Sequence, residues 1–241
     1  MAESPIRNYL NSLPRNEPLY FFANPGNAGD ALIALATYRL FRELGIDYRS
    51  VNVSQPFDPS GKIMLYGGGG NLVEHYHTAR NVIGKYYPYL RKLVILPHTI
   101  DANEDLLAEF RANADIICRE PISYAHVRRC APRANVLLMD DMAFNLDTEN
   151  ILQTRTRVMT FFKNPRIRAW ILRDFLIDIL LPVRQIPGKI SRQRDWMTLN
   201  SFRKDIESTH RNLPRDNVDL ASLFGHGTDN EAISFYGPIV F

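Results

Sequence analysis

Residues 62–72 read Lys-Ile-Met-Leu-Tyr-Gly-Gly-Gly-Gly-Asn-Leu, a short apolar run that breaks into four consecutive glycines. A run of this length bounded by turn residues reads as a buried strand, Lys62–Tyr66. The glycines Gly67–Gly70 that follow carry no Cβ, so their backbone can approach a ligand or a neighbouring loop and present amides to an anion. Similar runs rich in β-branched and aromatic residues lie at Leu19–Ala23, Tyr48–Val53, Lys92–Leu96, Ile116–Cys118 and Asn135–Leu138. Most precede a helix-like segment, the alternation of βαβ units. After the first run, Ile33, Ala36, Leu40, Phe41 and Leu44 share one helical face and Gly45 provides a stop. Leu72, Tyr76, Ala79 and Ile83 form a second stripe after the glycines. The expected fold is therefore α/β, a doubly wound parallel sheet of buried strands with helices on both faces. It occupies residues up to about Asp147, a domain of 1–150.

The 241 residues, 45% hydrophobic, suffice for a full core. A net charge of +3 and a pI near 8.9 suit small anionic ligands or an anionic membrane surface, and no nucleic-acid-binding motif accompanies them. Cys118 and Cys130 are too few and too far apart for a disulfide framework or a zinc site, which points to a reducing cytoplasm. The N-terminus lacks the order of a secretory signal, and no apolar run reaches the roughly 18 residues of a spanning helix.

Beyond Asp147 the texture changes. Ten basic residues fall between Arg155 and Arg194 against Asp174 and Asp178 alone. Ile167, Trp170, Ile171, Phe175 and Ile179 form a stripe with cationic flanks, so residues 166–181 read either as a peripheral membrane contact or as a solvated interdomain helix. Residues 151–195 are expected to be a basic helical linker, and 196–241 a short C-terminal segment.

In an open parallel sheet, ligands bind outside the carboxyl ends of the strands. Unusual residues gather at those ends. Strand one runs into the loop Asn24 to Asp30, which contains Asn27 and Gly29; strand three into Gly68, Gly69, Gly70 and Asn71; strand four into Pro97, His98 and Thr99; strand five into Arg119 and Glu120; strand six into Asp140 and Asp141. Asp30 stands in a first helical turn, either as a cap or as a base. His98 has the chemistry of a proton donor near neutral pH. Arg119 has the forked donor set that grips a carboxylate or phosphate, unless an ion pair with Glu120 or Asp141 occupies it. The glycine spacing matches neither the dinucleotide fingerprint nor the phosphate loop with its lysine. His75 and His77, two apart in a helical reading, point in different directions and do not share a metal. No metal is expected.

Taken in order, NAGDALI (27–33), YGGGGNL (66–72), ILPHTI (95–100), REPISY (119–124), MDDMAFNL (139–146) and LNSFRKDIEST (199–209) resemble the polysaccharide pyruvyltransferase family. The resemblance implies a Rossmann-like, GT-B-type N-terminal half at 1–150 and an incomplete second α/β half at 196–241. It implies transfer of pyruvate from phosphoenolpyruvate, as donor substrate and without other cofactor, to a glycan or lipid-linked oligosaccharide on the cytoplasmic side of the membrane. Asp30 and His98 then take the roles of base and acid. Asn27, Gly29, Gly68, Gly69, Gly70, Asn71, Arg119, Glu120, Asp141 and Arg203 then bind substrate. Family members usually carry a basic-Leu-His motif nearer the C-terminus; its absence before Phe241 implies a truncated member of impaired activity. The alternatives are a GT-B-type glycosyltransferase using a nucleotide sugar and an inactive binding protein derived from the family.

Overall fold

The computed structural model describes residues 4–26, 28–52 and 56–146. The expectations for the linker at 151–195, the segment 196–241, the stripe at 166–181, Asn27 and Arg203 lie outside these residues.

The described residues form a seven-stranded sheet in which every pairing is parallel: β1 (Leu19–Phe22), β2 (Tyr48–Ser50), β3 (Ile63–Tyr66), β4 (Gly69–Leu72), β5 (Lys92–Ile100), β6 (Ala114–Cys118) and β7 (Asn135–Leu138). The lateral order is β2-β1-β3-β5-β6-β7, with β4 also paired to β5. Side chains alternate across the strands into two cores. Tyr66, Met64, Ile95, Leu93 and Ile116 join the core covered by α3 (Thr78–Tyr86), α4 (Glu104–Glu109) and α5 (Pro121–Cys130). Leu65, Ile63, Val94, Leu96 and Ile117 join the core covered by α1 (Pro5–Asn11), α2 (Ala28–Glu43) and the 3-10 turn Met142–Asn145. Near-continuous apolar strands are thus buried on both sides, as a doubly wound sheet requires.

Three local differences from the sequence reading share one cause. The glycine run, expected as a loop, contains β4; the Pro97-His98-Thr99 stretch, expected beyond a strand end, lies inside β5; and the helix after the glycines starts only at Thr78. His75 and His77 therefore precede that helix, and Leu72 belongs to β4. Tyr66 stands opposite Ile95 and Gly69 opposite His98, so β3 and β4 are two halves of one line against β5, interrupted at Gly67 and Gly68. Pro97 has no N–H and so disrupts the ladder, and on the β6 side the register shifts between Ile95 and His98. One lost ladder bond costs about 1 kcal/mol. Burial of Leu93, Val94, Ile95, Leu96 and Ile100 in the same strand contributes about 1.5–3 kcal/mol each, so the strand continues through the proline.

The opposite end of the sheet is closed by a polar cluster. Asp115 accepts from the Tyr9 hydroxyl at 2.6 Å and from Asn135 at 2.9 Å, and pairs with Lys92 Nζ at 2.7 Å. This ties α1, absent from the sequence reading, to β5, β6 and β7. Burial, and then the Asp115 carboxylate, push the Tyr9 phenol far above its usual pKa.

Two glycines separate strain from propensity. Gly69 has φ +149°, and a Cβ there would lie 2.3 Å from Asn24 Nδ2, whereas a Cβ on the helical Gly84 would meet only Leu106 at 3.6 Å. In urea unfolding, Gly69→Ala is expected to cost about 3 kcal/mol. Gly84→Ala is expected to stabilise by roughly 0.5–1 kcal/mol.

Candidate anion-binding site at the strand ends

The order of the sheet reverses between β1 and β3, because the crossover through α2 places β2 on one side while β3 and β5 follow on the other. Such a switch point opens a crevice beyond the strand ends. Three of the four glycines are required by protein packing around it. A Cβ on Gly67 would sit 2.7 Å from the Asn24 backbone nitrogen, on Gly68 2.7 Å from the Pro97 carbonyl, and on Gly69 2.8 Å from Asp30 Oδ1. Gly70 alone faces a guanidinium, with Arg119 Nη2 3.3 Å from its Cβ position.

A relay of hydrogen bonds lines the β1 and β3 side. The Tyr66 hydroxyl donates to Asn24 Oδ1 at 3.1 Å, and Asn24 Nδ2 in turn donates to Asp30 Oδ1 at 2.9 Å. Burial raises the Tyr66 pKa well above the usual phenol range, with the Asp30 charge adding to the effect, so the relay carries no phenolate. Asp30 stands beside Gly29 in the first turn of α2, where backbone amides favour a carboxylate.

The β5 and β6 side carries the arginine. Arg119 Nε donates to Thr99 Oγ1 at 2.7 Å and Nη1 to Asp141 Oδ2 at 2.8 Å. The expected Asp141 ion pair is present, and Asp141 also caps the 3-10 turn through Ala143 N at 2.9 Å. Thr99 and Asp141 hold the fork in one orientation. Among the described residues no acceptor lies on Nη2, the nitrogen over Gly70. Glu120 Oε1 accepts from the Ser123 hydroxyl, which itself accepts from Ile100 N at 2.7 Å.

His98 lies completely buried between the two sides. Its Nδ1 is 3.1 Å from the Gly67 carbonyl, so Nδ1 carries the hydrogen and Nε2 is left as an acceptor. Burial, and then the positive charge of Arg119, push its pKa down to about 3. At neutral pH the ring is uncharged, which does not fit the acid expected of it; the geometry leaves it an acceptor. Among the described residues, three buried side-chain atoms at this edge lack a hydrogen-bond partner: His98 Nε2, Asn71 Oδ1 and Glu120 Oε2. Buried polar atoms are almost always satisfied, so these three make the sheet edge a candidate place for bound water or a polar ligand.

The structure thus brings together Asp30, Gly68, Gly69, Gly70, Asn71, His98, Arg119, Glu120 and Asp141 at a single edge. Sequence reading missed Asn24 and Tyr66, and it named Thr99 without assigning it a role. The signal available was position: Asn24 opens the loop after the first strand, and Tyr66 is the last polar-tipped residue before the glycines.

Fold and edge together define a doubly wound α/β protein with an arginine-bearing, acceptor-rich crevice at the switch point of its sheet. The chain belongs to the polysaccharide pyruvyl transferase family, whose sequence model matches residues 27–226. Its fold is similar to the crystal structure of a functionally uncharacterised protein from Klebsiella pneumoniae subsp. pneumoniae, with a TM-score of 0.67 and 24% identity over 98% of this chain and 75% of that one. No curated protein matches the chain. Among the described residues no helix is long and apolar enough to cross a membrane.

The buried imidazole carries a pH signature. A histidine binds its proton in the unfolded chain below about pH 6.5 but in this fold only near pH 3, so stability is fully present above 6.5 and falls as the pH drops. The expected contribution is roughly 1.4 kcal/mol per pH unit within that window. Urea unfolding from pH 7 to pH 4 should show a shallower decline for His98→Asn, whose amide can replace the Nδ1 donor.

Proposed function

We propose that this protein transfers pyruvate from phosphoenolpyruvate to hydroxyls of a surface glycan or its lipid-linked precursor. The observation that carries the reading is the juxtaposition of a pinned guanidinium with one uncommitted nitrogen and three orphaned buried polar atoms, in a chain of this family. Phosphoenolpyruvate has a carboxylate and a phosphate on one carbon. Arg119 grips one of them through Nη2, and the orientation set by Thr99 and Asp141 is in place before the donor arrives.

The chemistry adds one sugar hydroxyl across the enol double bond. The methylene carbon gains a proton and becomes methyl, and the adjacent carbon gains the C–O bond. A second hydroxyl then displaces phosphate, giving a cyclic ketal and inorganic phosphate. Asp30 is suited to accept a hydroxyl proton, with Asn24 orienting its carboxylate. Glu120 Oε2 and Asn71 Oδ1 are acceptors for sugar hydroxyls. Neutral His98 accepts a hydrogen bond at Nε2 and leaves the carbon-protonating acid to another group or to water.

The decisive measurement is phosphate release from phosphoenolpyruvate with and without glycan acceptor. Acceptor-dependent release, reduced about 100-fold or more in kcat/KM by Arg119→Ala, is expected. Displacement of a nucleotide sugar with no affinity for phosphoenolpyruvate would instead identify a glycosyltransferase. The basic sequence at 166–181 further predicts sedimentation with anionic vesicles at low salt and release at high salt. A supernatant protein at both salts excludes membrane contact.

A further inference from the structure

Away from the strand-end crevice, at the other end of α5, the side chains of Glu104, His126 and Cys130 converge so that one ligand atom of each lies within 4.8 Å of the others. His126 and Cys130 are four apart and share a helical face. Their Nδ1 and Sγ atoms are 3.9 Å apart, already close to the roughly 3.6 Å edge of a tetrahedral zinc site with bonds of about 2.1 and 2.3 Å. Glu104 is exposed, and one of its carboxylate oxygens lies within 4.8 Å of both.

The tautomer is set independently. His126 Nε2 donates to the Ala102 carbonyl at 2.9 Å, leaving the Nδ1 lone pair directed at the cluster, where the exposed Arg129 now donates to it at 3.2 Å. A backbone carbonyl on the far nitrogen is the arrangement that orients metal-ligating histidines. That carbonyl is presented by an unusual turn: Ala102 and Asn103 both adopt left-handed backbone, with φ 54° and 60°. A left-handed alanine is uncommon and costs energy, so its persistence calls for a compensating contact.

We propose that Glu104 (carboxylate), His126 (Nδ1) and Cys130 (Sγ) bind zinc, with water as the fourth ligand and Arg129 displaced to solvent. One thiolate, one imidazole and one carboxylate form a borderline-soft set that favours zinc over magnesium or calcium. The Cys130 thiol loses its proton to solvent on binding. The ion ties α4 to the C-terminal turn of α5, the helix whose first residues carry Ser123 and follow Glu120.

The full chain, reduced and metal-free, is titrated with cobalt(II) and then zinc(II). One equivalent of cobalt is expected to give a near-ultraviolet thiolate charge-transfer band that zinc bleaches. Cys118 is buried and its thiol pushed up to about 12, so this band reports Cys130. Cys130→Ser should abolish the band, Glu104→Gln should weaken zinc binding about tenfold or more, and His75→Ala should change neither. Zinc should also raise the melting temperature of the parent chain but not of Cys130→Ser. Glu104 is exposed whereas Cys130 is half-buried against the core, so the folding of both variants is checked by the melting temperature without metal. Absence of the band, or zinc binding unchanged in both Cys130→Ser and Glu104→Gln, overturns the proposal. Neither readout depends on the reaction proposed for the strand-end crevice.

Discussion

Backbone packed against backbone at Gly67 and Gly68 is the constraint on which the rest of this molecule depends. With Cβ positions 2.7 Å from the Asn24 nitrogen and the Pro97 carbonyl, no side chain fits at either residue. The close approach brings the ends of β1, β3 and β5 together and puts the Gly67 carbonyl within reach of the His98 ring. It also lets β4 resume the line of β3 past a proline. The same geometry that packs the sheet therefore builds the crevice, because the relay from Tyr66 to Asp30 and the guanidinium of Arg119 approach each other only across a surface stripped of side chains.

The division of labour within the crevice follows from solvation. Arg119 is half-buried and ion-paired with Asp141, while His98 is wholly buried and uncharged at neutral pH. A cation on both residues would place like charges together, and the imidazole, far the weaker base and the more deeply buried, is the one that yields. The outcome is one fixed cation amid neutral donors and acceptors, with Asp30 and Glu120 supplying negative oxygens nearby. The guanidinium offers a cationic donor and the carboxylates offer acceptors for hydroxyl groups.

Most of the fold was legible in the chain. The alternation of Leu19–Ala23, Lys62–Tyr66, Lys92–Leu96 and their helices locates the strands because parallel strands buried on both faces are written as continuous apolar runs. The α2 stripe from Ile33 to Phe41, ending before Gly45, was equally plain. Legibility failed where long-range contacts overrule local propensity. Four glycines and a proline are punctuation in isolation, yet Gly69–Leu72 and Pro97–Ile100 are strand because apolar neighbours on both faces hold them. The place of Arg119 and His98 at the carboxyl edge of the sheet was readable from the apolar runs they follow. The loss of charge on His98 was not, since it depends on the depth of burial. Asn24 and Tyr66 escaped notice because their role lies in one another, across a separation of 42 residues. The Glu104, His126 and Cys130 cluster was hidden by the same kind of distance, for cysteine spacing alone says nothing of a carboxylate in a neighbouring helix.

The proline within β5 has a mechanical consequence. Where Pro97 interrupts the ladder and the register slips against β6, the sheet has a seam running beside the break between β3 and β4. Below the seam, continuous pairing and the Asp115 cluster make a stiff base; above it, the strand tips are joined by fewer rungs. Deformation imposed by an occupant of the crevice is thereby confined to the tips, like flexing fingers on a fixed palm.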